Sequence, residues 1–180
     1  MTKPIRLRPY RTNDVDAIFD AIIESHAELS RWMPWCHESY SRRETQQWVA
    51  SQCEVADRLQ ERSFVIVDDR DQILGSCGIH RLDLINSVAE SGYWVRSSAT
   101  NQGIATAAML QISDWAFKQA KLHRLELVIS VENRPSLRVA EKLGATREGI
   151  LRQRFQLNDR RHDGVLFSLL NSEQSPVDFQ

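Results

Sequence analysis

The sequence predicts a single mixed α/β domain, with one central sheet that carries helices on both of its faces. A chain of 180 residues is long enough to bury one substantial hydrophobic core and short for two. Strand-like and helix-like segments alternate along it, which favours one sheet covered by helices. No Gly/Ser/Pro linker divides the sequence and no repeat appears in it. We therefore predict one domain over residues 1–180, with a short flexible tail from about residue 173.

The first third of the chain predicts a strand and two helices. The segment "IRLRPY" is the strand, and from Thr12 onward apolar residues recur at the spacing of one helical face. Those residues are Val15, Ile18, Phe19, Ile22 and Ile23. A loop, "LSRWMPWCHESY", follows. The S-x-x-E pattern from Ser41 to Glu44 is a capping box, and it predicts a second helix that runs to about Arg62.

The middle of the chain predicts three strands and a helix. The segments "SFVIVDD" and "ILGSCGIHRL" flank a polar turn over residues 69–72, as in a hairpin. The third strand is "SVAESGYWV", and a helix begins near Gly103.

The last third predicts a strand, a helix and a closing hairpin. After the apolar strand "RLELVISV", Asn133 is placed to cap a helix that has Pro135 in its first turn and Gly144 just beyond its end. The closing strands, "GILRQRFQL" and "GVLFSLL", are separated by a turn at Asn158 and Asp159.

Composition excludes several classes of protein. The net charge of −1 argues against non-specific electrostatic binding of nucleic acid, so no DNA partner is predicted. The three cysteines lack C-x-x-C spacing, which argues against a disulfide framework and a zinc site and suits a reducing compartment. No stretch has the apolar run of a signal peptide or a membrane span. We predict a cytoplasmic protein that binds no metal and no membrane.

The stretch "TNQGIATAAM" places one glycine and several small residues at the start of a predicted helix. A helix N-terminus offers unpaired backbone N–H groups and the positive end of the helix dipole, so it binds anions such as phosphate. Gly103, Ala105 and Ala107 leave the backbone open to a ligand, and Thr106 adds a hydroxyl donor. Close packing of this helix on the sheet explains the small residues equally well.

The order of elements and four motifs resemble the GCN5-related N-acetyltransferase superfamily. The motifs are "AESGYWV", "NQGIATAAM", "VENRPSLRVAEKLGA" and "REG", and they are similar to those of the branch that acetylates ribosomal-protein N-termini. The resemblance implies a mixed, mostly antiparallel sheet of about seven strands flanked by about four helices. It implies an N-acetyltransferase, monomeric or homodimeric, that uses acetyl-CoA as co-substrate. The implied acceptor is a protein N-terminus, a peptide or a small amine; a non-catalytic module that binds CoA or a peptide is the alternative.

The resemblance also implies which residues hold the coenzyme. The pyrophosphate would lie on backbone N–H groups at the helix start, and the pantetheine arm would follow the preceding strand and the N-terminus of the next helix. The residues implied are Gln102, Gly103, Ile104, Ala105 and Thr106 for the pyrophosphate, with Trp94, Val95, Asn133 and Ser136 along the arm. Thr100 departs from the family pattern, which has Gln or Arg at that place.

Three further roles follow from the same resemblance. Glu90 occupies the strand position of the general base in many relatives and would accept the proton of the attacking amine, directly or through water, while Ser136 would donate to the departing thiolate. Some relatives carry a second glutamate where this chain has Phe155. The acceptor would contact Trp32 and Trp35 in the loop after the first helix, as well as Glu90; a satellite core that fastens this loop is the alternative interpretation of the tryptophans.

Overall fold

Seven strands form one sheet in the computed structural model, which describes residues 4–54 and 62–173. The predicted tail lies almost wholly outside these ranges. The strands are β1 (Arg6–Arg8), β2 (Arg62–Val67), β3 (Ile73–Asp83), β4 (Val88–Val95), β5 (Arg124–Ser130), β6 (Thr146–Leu157) and β7 (Arg160–Leu170). The helices within the described ranges are α1 (Val15–Glu24), α2 (His26–Leu29), α3 (Arg42–Glu54), α4 (Ile104–Lys118) and α5 (Arg134–Lys142). The predicted single α/β domain is confirmed, and the range 1–180 stays a prediction.

The sheet has the order β1-β2-β3-β4-β5-β7-β6, and its neighbours are antiparallel except for the pair β4 and β5. These two parallel strands pair over only three positions, from Val88 with Arg124 to Glu90 with Glu126. Beyond that point both strands continue unpaired with each other, β4 to Val95 and β5 to Ser130. A gap therefore opens between their carboxyl ends, at the middle of the sheet.

Helices cover both faces of the sheet, as predicted, and they bury hydrophobic side chains against it. Helices α4 and α5 cover one face, where Met109, Ile112 and Leu125 are fully buried. Helices α1 and α3 cover the other face through Ile18 and Val49. We call this second side the α1/α3 face. No helix in the described ranges is long and apolar enough to cross a membrane.

Local signals set the starts of the helices. The predicted cap is present on α5, where the Asn133 side chain accepts a hydrogen bond from the N–H of Ser136 at 3.2 Å. The carboxylate of Glu44 accepts from the N–H of Ser41 at 2.9 Å, the half of the capping box that closes the start of α3. Asn158 and Asp159 both have positive φ in the β6–β7 turn, which suits a tight hairpin.

Several predicted boundaries were wrong, and strands β6 and β7 both begin before the predicted segments "GILRQRFQL" and "GVLFSLL". The loop predicted over residues 29–40 begins one residue later in the structure, because Leu29 is the last residue of the short helix α2. The helix predicted to run to about Arg62 does not reach it: Arg62 is the first residue of β2, where it pairs with Ile79 of β3. Residues 55–61 lie outside the described ranges.

Candidate active site

The gap between β4 and β5 exposes a row of backbone groups along β4. The N–H of Arg96 donates to the carbonyl of Leu74 at 2.8 Å, so it points toward β3. Because N–H and C=O groups alternate in direction along a strand, those of Tyr93 and Val95 point the other way, into the gap. The N–H of Val95, one of the residues implied along the pantetheine arm, therefore faces the gap and not the neighbouring strand.

The helix that follows β4 presents its N-terminus at the same end of the sheet. Gly103 is the N-cap residue of α4, and its φ of +77° is in the left-handed region that favours glycine. Glycine has no side chain to cap the first turn, so the leading N–H groups of α4 have no side-chain acceptor. The predicted anion site over residues 102–106 thus has donors available. The hydroxyl of Thr100, the residue that departs from the family pattern, donates to the carbonyl of Ser97 at 2.8 Å and tightens the preceding turn.

The helix that follows β5 brings Asn133 and Ser136 to the other side of the gap. The Asn133 oxygen is used as the cap, which leaves its amide N–H groups to donate elsewhere. The hydroxyl of Tyr93 on β4 donates to the Ser136 hydroxyl oxygen at 3.1 Å. This pairing leaves the Ser136 proton free to donate in turn. Sequence analysis missed Tyr93, although its place beside Trp94 in the strand was a signal.

Burial and hydrogen bonding change the pKa of Tyr93 in opposite directions. Burial raises the pKa of its phenol, and the hydrogen bond with Ser136 lowers it by less, so the net change is upward. The hydroxyl therefore stays protonated at neutral pH and keeps its orientation toward Ser136.

Glu90 lies at the last position where β4 pairs with β5. Three cationic or titratable side chains surround it. Its carboxylate accepts from Arg81 and from Arg154, each at 2.8 Å, and its side chain is only 15% exposed. The Nε2 atom of His80 lies 3.7 Å from the second carboxylate oxygen.

These neighbours decide the acidity of Glu90. Burial alone would raise its pKa, but the contacts with His80 and Arg81 and the charge of Arg154 outweigh burial and lower the pKa to about 2. A carboxylate of this acidity is ionised throughout the neutral range and is a weak base. Glu90 is therefore suited to orient and stabilise its neighbours more than to take a proton itself.

A cavity of about 400 Å³ lies on the α1/α3 face, beside the gap. It is lined by Tyr10, Ile18, Ile22, Met33, Trp35, Tyr40, Glu44, Trp48, Ser63, Ser76, Cys77, Gly78, His80, Gly92, Tyr93 and Trp94. The segment 92–94 borders both the cavity and the gap. The imidazole of His80 lies against Gly92, where a Cβ atom would stand 3.4 Å from its Cε1. We call this space the acceptor cavity.

The two predicted acceptor tryptophans have different surroundings. Trp35 lines the acceptor cavity, whereas Trp32 does not and has the guanidinium of Arg31 over its ring at 5.5 Å. Sequence analysis missed Tyr10, Tyr40 and Trp48, which contribute rings to the same cavity. The pattern of α3 gave no signal for Trp48, because one exposed aromatic residue on a polar helix is an ordinary feature.

Phe155 packs beside the gap, on the strand β6. A Cβ atom on Gly164 would lie 3.1 Å from the Phe155 ring and 3.1 Å from Val128 of β5. The glycine thus makes room for the ring against β5. The position that carries a glutamate in some relatives is apolar here, and it supplies no base.

The described residues contain no cluster of three or more His, Cys, Asp or Glu side chains arranged to hold a metal ion. The donors that are present, helix-terminal N–H groups and a strand edge, suit a phosphate and a pantetheine amide.

Comparisons with known proteins agree with this geometry. Residues 5–146 match the acetyltransferase (GNAT) domain family. The Bacillus subtilis protein YdaF is 28% identical over 94% of this chain and 92% of its own. The ribosomal-protein-serine acetyltransferase of Escherichia coli is 25% identical over 97% of both chains.

A solved structure gives the same result. That of Mycobacterium smegmatis RimJ in complex with CoA-disulfide has a TM-score of 0.84 and 27% identity, and it covers 96% of this chain and 86% of the other. The resemblance inferred from the four motifs is thus confirmed, and acetyl-CoA is the co-substrate that GNAT acetyltransferases use. This chain belongs to the GNAT acetyltransferase family and is similar to its ribosomal-protein N-acetyltransferases.

Proposed function

We propose that this chain transfers the acetyl group of acetyl-CoA to a primary amine, in the first place the N-terminal α-amine of a protein or peptide. One observation carries the proposal: the segment 92–94 borders both the gap between β4 and β5 and the acceptor cavity. A thioester that reaches the gap from one side and an amine that reaches the cavity from the other would meet at this segment. Proximity of this kind supplies much of the rate of a bimolecular transfer.

Coenzyme binding is assigned to the two helix N-termini and the strand edge. The N–H groups of 102–106 would hold the pyrophosphate, while Asn133 and the backbone of Tyr93 and Val95 would hold the pantetheine arm. The backbone of Trp94, which sequence reasoning placed along the arm, instead points toward β3, where Trp94 pairs with Ser76. The N–H of Val95 faces the gap, which supports it as the donor to the developing oxyanion.

Removal of the amine proton is assigned to His80, with Glu90 as the group that orients it. An α-amine has a pKa of about 7.7–8.0, so an appreciable fraction is neutral at pH 7 without a strong base. The weak basicity of Glu90 is thus tolerable for such an acceptor. His80 lines the cavity, and its Nε2 atom lies 3.7 Å from the Glu90 carboxylate, so the charge of Glu90 would orient the imidazole. A water molecule between the amine and Glu90 is the other route to the same result.

Stabilisation of the departing thiolate is assigned to Ser136, whose hydroxyl would donate a hydrogen bond to the sulfur and keep its proton. The hydroxyl of Tyr93 donates to the Ser136 oxygen and so orients the Ser136 proton away from Tyr93, toward the gap. In this proposal the Tyr93 hydroxyl positions Ser136 and does not touch the coenzyme itself.

The test is release of the CoA thiol from acetyl-CoA with a panel of acceptors, with mass spectrometry of the products. The panel contains peptides with free N-termini, the same peptides with blocked N-termini, and spermidine, because a spermidine N(1)-acetyltransferase of Vibrio cholerae is 26% identical over 63% of this chain. We expect acetylation at the α-amine and none of the blocked peptides. Tight binding of acetyl-CoA in calorimetry without thiol release from any amine would instead support a non-catalytic module.

A double-mutant cycle tests the pairing of His80 with Glu90. We expect His80→Gln and Glu90→Gln each to lower kcat, and the double variant to be little worse than His80→Gln alone, because Glu90 acts through His80. Additive effects of the two substitutions would mean that the residues act independently and would remove this assignment.

A further inference from the structure

We infer that the acceptor cavity holds a bulky apolar or aromatic group attached next to the amine, so that such amines are preferred over those with a small polar neighbour. The inference rests on the proposed function, and it specifies the chemical class of acceptor. It concerns the side chain beside the reacting amine, which for a peptide is that of its first residue.

The walls of the acceptor cavity are largely aromatic. Trp48 of α3 stands edge-on to Tyr10, with ring centroids 6.4 Å apart, and Trp35 stands edge-on to Tyr40 at 5.6 Å. Trp94 of β4 lines the same cavity. Aromatic side chains offer large contact areas to an apolar or aromatic guest and fix its orientation.

Three polar groups in these walls are already paired within the protein. The indole N–H of Trp48 donates to the hydroxyl of Tyr10 at 3.2 Å, and that hydroxyl is bonded to Ser76 at 2.6 Å. The hydroxyl of Tyr40 is bonded to Thr45 at 3.0 Å. A serine hydroxyl or a carboxylate that lies against these groups would therefore lose water and gain no free partner among them.

Among the described residues that line the cavity, Glu44 carries the one carboxylate. Its hydrogen bonds with Ser41 and His37 lower its pKa, so it stays ionised at neutral pH. The side chain is 37% exposed, which places it at the open side of the cavity. A negative charge there suits the approach of an ammonium and opposes an acidic first residue.

The volume of the acceptor cavity also favours a bulky group beside the amine. A cavity of about 400 Å³ lies in the range of small-molecule sites, roughly 300–1,000 Å³, and is far larger than a serine or alanine side chain needs. Burial of a full leucine or phenylalanine side chain is expected to improve kcat/KM by about tenfold to a hundredfold over serine.

The experiment compares peptides that are identical except for a first residue of Phe, Leu, Ala, Ser or Asp. We expect kcat/KM to fall in the order Phe and Leu, then Ala, then Ser, with Asp last. Equal or higher kcat/KM for Ser than for Phe and Leu would overturn the inference and leave the proposed function in place.

Two variants locate the preference in the cavity. Trp35→Ala, at a residue 39% exposed, should reduce the Phe-to-Ser ratio at least threefold. Trp32→Ala removes a neighbouring tryptophan that does not line the cavity and should leave the ratio unchanged. An unchanged ratio in Trp35→Ala, or an equal drop in both variants, would contradict the assignment.

Binding without turnover separates the inference from the proposed function. Intrinsic tryptophan fluorescence should report tighter binding of 2-phenylethylamine than of ethanolamine, since Trp35, Trp48 and Trp94 line the cavity. Preferred binding without any acetyl transfer would refute the proposed function alone. No preference in binding and none in turnover would refute the inference.

Discussion

The ion pairs of Glu90 lead to a stability prediction with a definite dependence on pH. The pKa of Glu90 is lowered from its ordinary 4.5 to about 2 in the folded chain, because its contacts with His80, Arg81 and Arg154 outweigh the cost of its burial. A group whose pKa falls on folding stabilises the fold above its unfolded pKa, and that stabilisation is lost as pH falls through the folded value. The window is therefore about pH 4.5 down to about pH 2.

The magnitude follows from the same two values. Each tenfold change in acidity is worth about 1.4 kcal/mol, so the stabilisation at neutral pH is at most about 3 kcal/mol. The Glu90 side chain is 15% exposed, so solvent screening removes only part of it. We expect Glu90→Gln to lower the free energy of unfolding by about 2–3 kcal/mol at pH 7. The corresponding fall in Tm is roughly 5–10 °C for a chain of this size.

Urea unfolding of wild type and Glu90→Gln at pH 7, 5, 4 and 3 measures this contribution. Other carboxylates titrate in both proteins alike, so the difference between the two isolates Glu90. That difference should be constant from pH 7 to pH 5 and shrink toward pH 3. Glu141→Gln, at an exposed glutamate of α5, is the matched control and should show almost no difference. A difference of the same size at pH 7 and pH 3 would refute the ion-pair account of Glu90.

Three further predictions follow from the site. Gly103→Val places a β-branched residue at φ +77° and narrows the approach of a ligand to the N-terminus of α4. The Kd for CoA in calorimetry should therefore rise about tenfold or more. Gly149→Val is the control, because a Cβ atom there meets open space, and it should leave the Kd unchanged. Tyr93→Phe removes one hydrogen bond to Ser136 and should lower kcat about two- to tenfold without changing the KM for acetyl-CoA, and it should have no effect on top of Ser136→Ala. Burial raises the pKa of the Cys77 thiol, so that thiol should resist iodoacetamide in the folded protein and react in urea; rapid labelling of the folded chain would contradict the burial.

Local chemistry is the part of this protein that the sequence predicts best. The helix cap at Asn133 and the glycine at the start of α4 depend on residues within one turn of each other, so their pattern is visible in the sequence. The hairpin turn at Asn158 and Asp159 is visible for the same reason. The local pattern predicted a helix up to about Arg62, but that residue belongs to a strand because it pairs with Ile79 of β3.

Contacts between distant residues decided the rest. Glu90 was recognised as a candidate base, but its acidity depends on His80 and Arg81 of the neighbouring strand β3. The charge of Arg154, which lies 64 positions away on β6, adds to the same effect. The two loop tryptophans are three residues apart, and only the folding of that loop onto the sheet places Trp35 in the cavity and Trp32 outside it.

The sequence alone determined the family, the order of elements and the starts of α4 and α5, because each depends on residues that are close together in the chain. Only the tertiary structure decided the acidity of Glu90, the pairing of Tyr93 with Ser136 and the aromatic walls of the acceptor cavity. The physical reason is that burial, ion pairing and cavity shape are set where separate elements pack together, and no local pattern records which side chains will meet there.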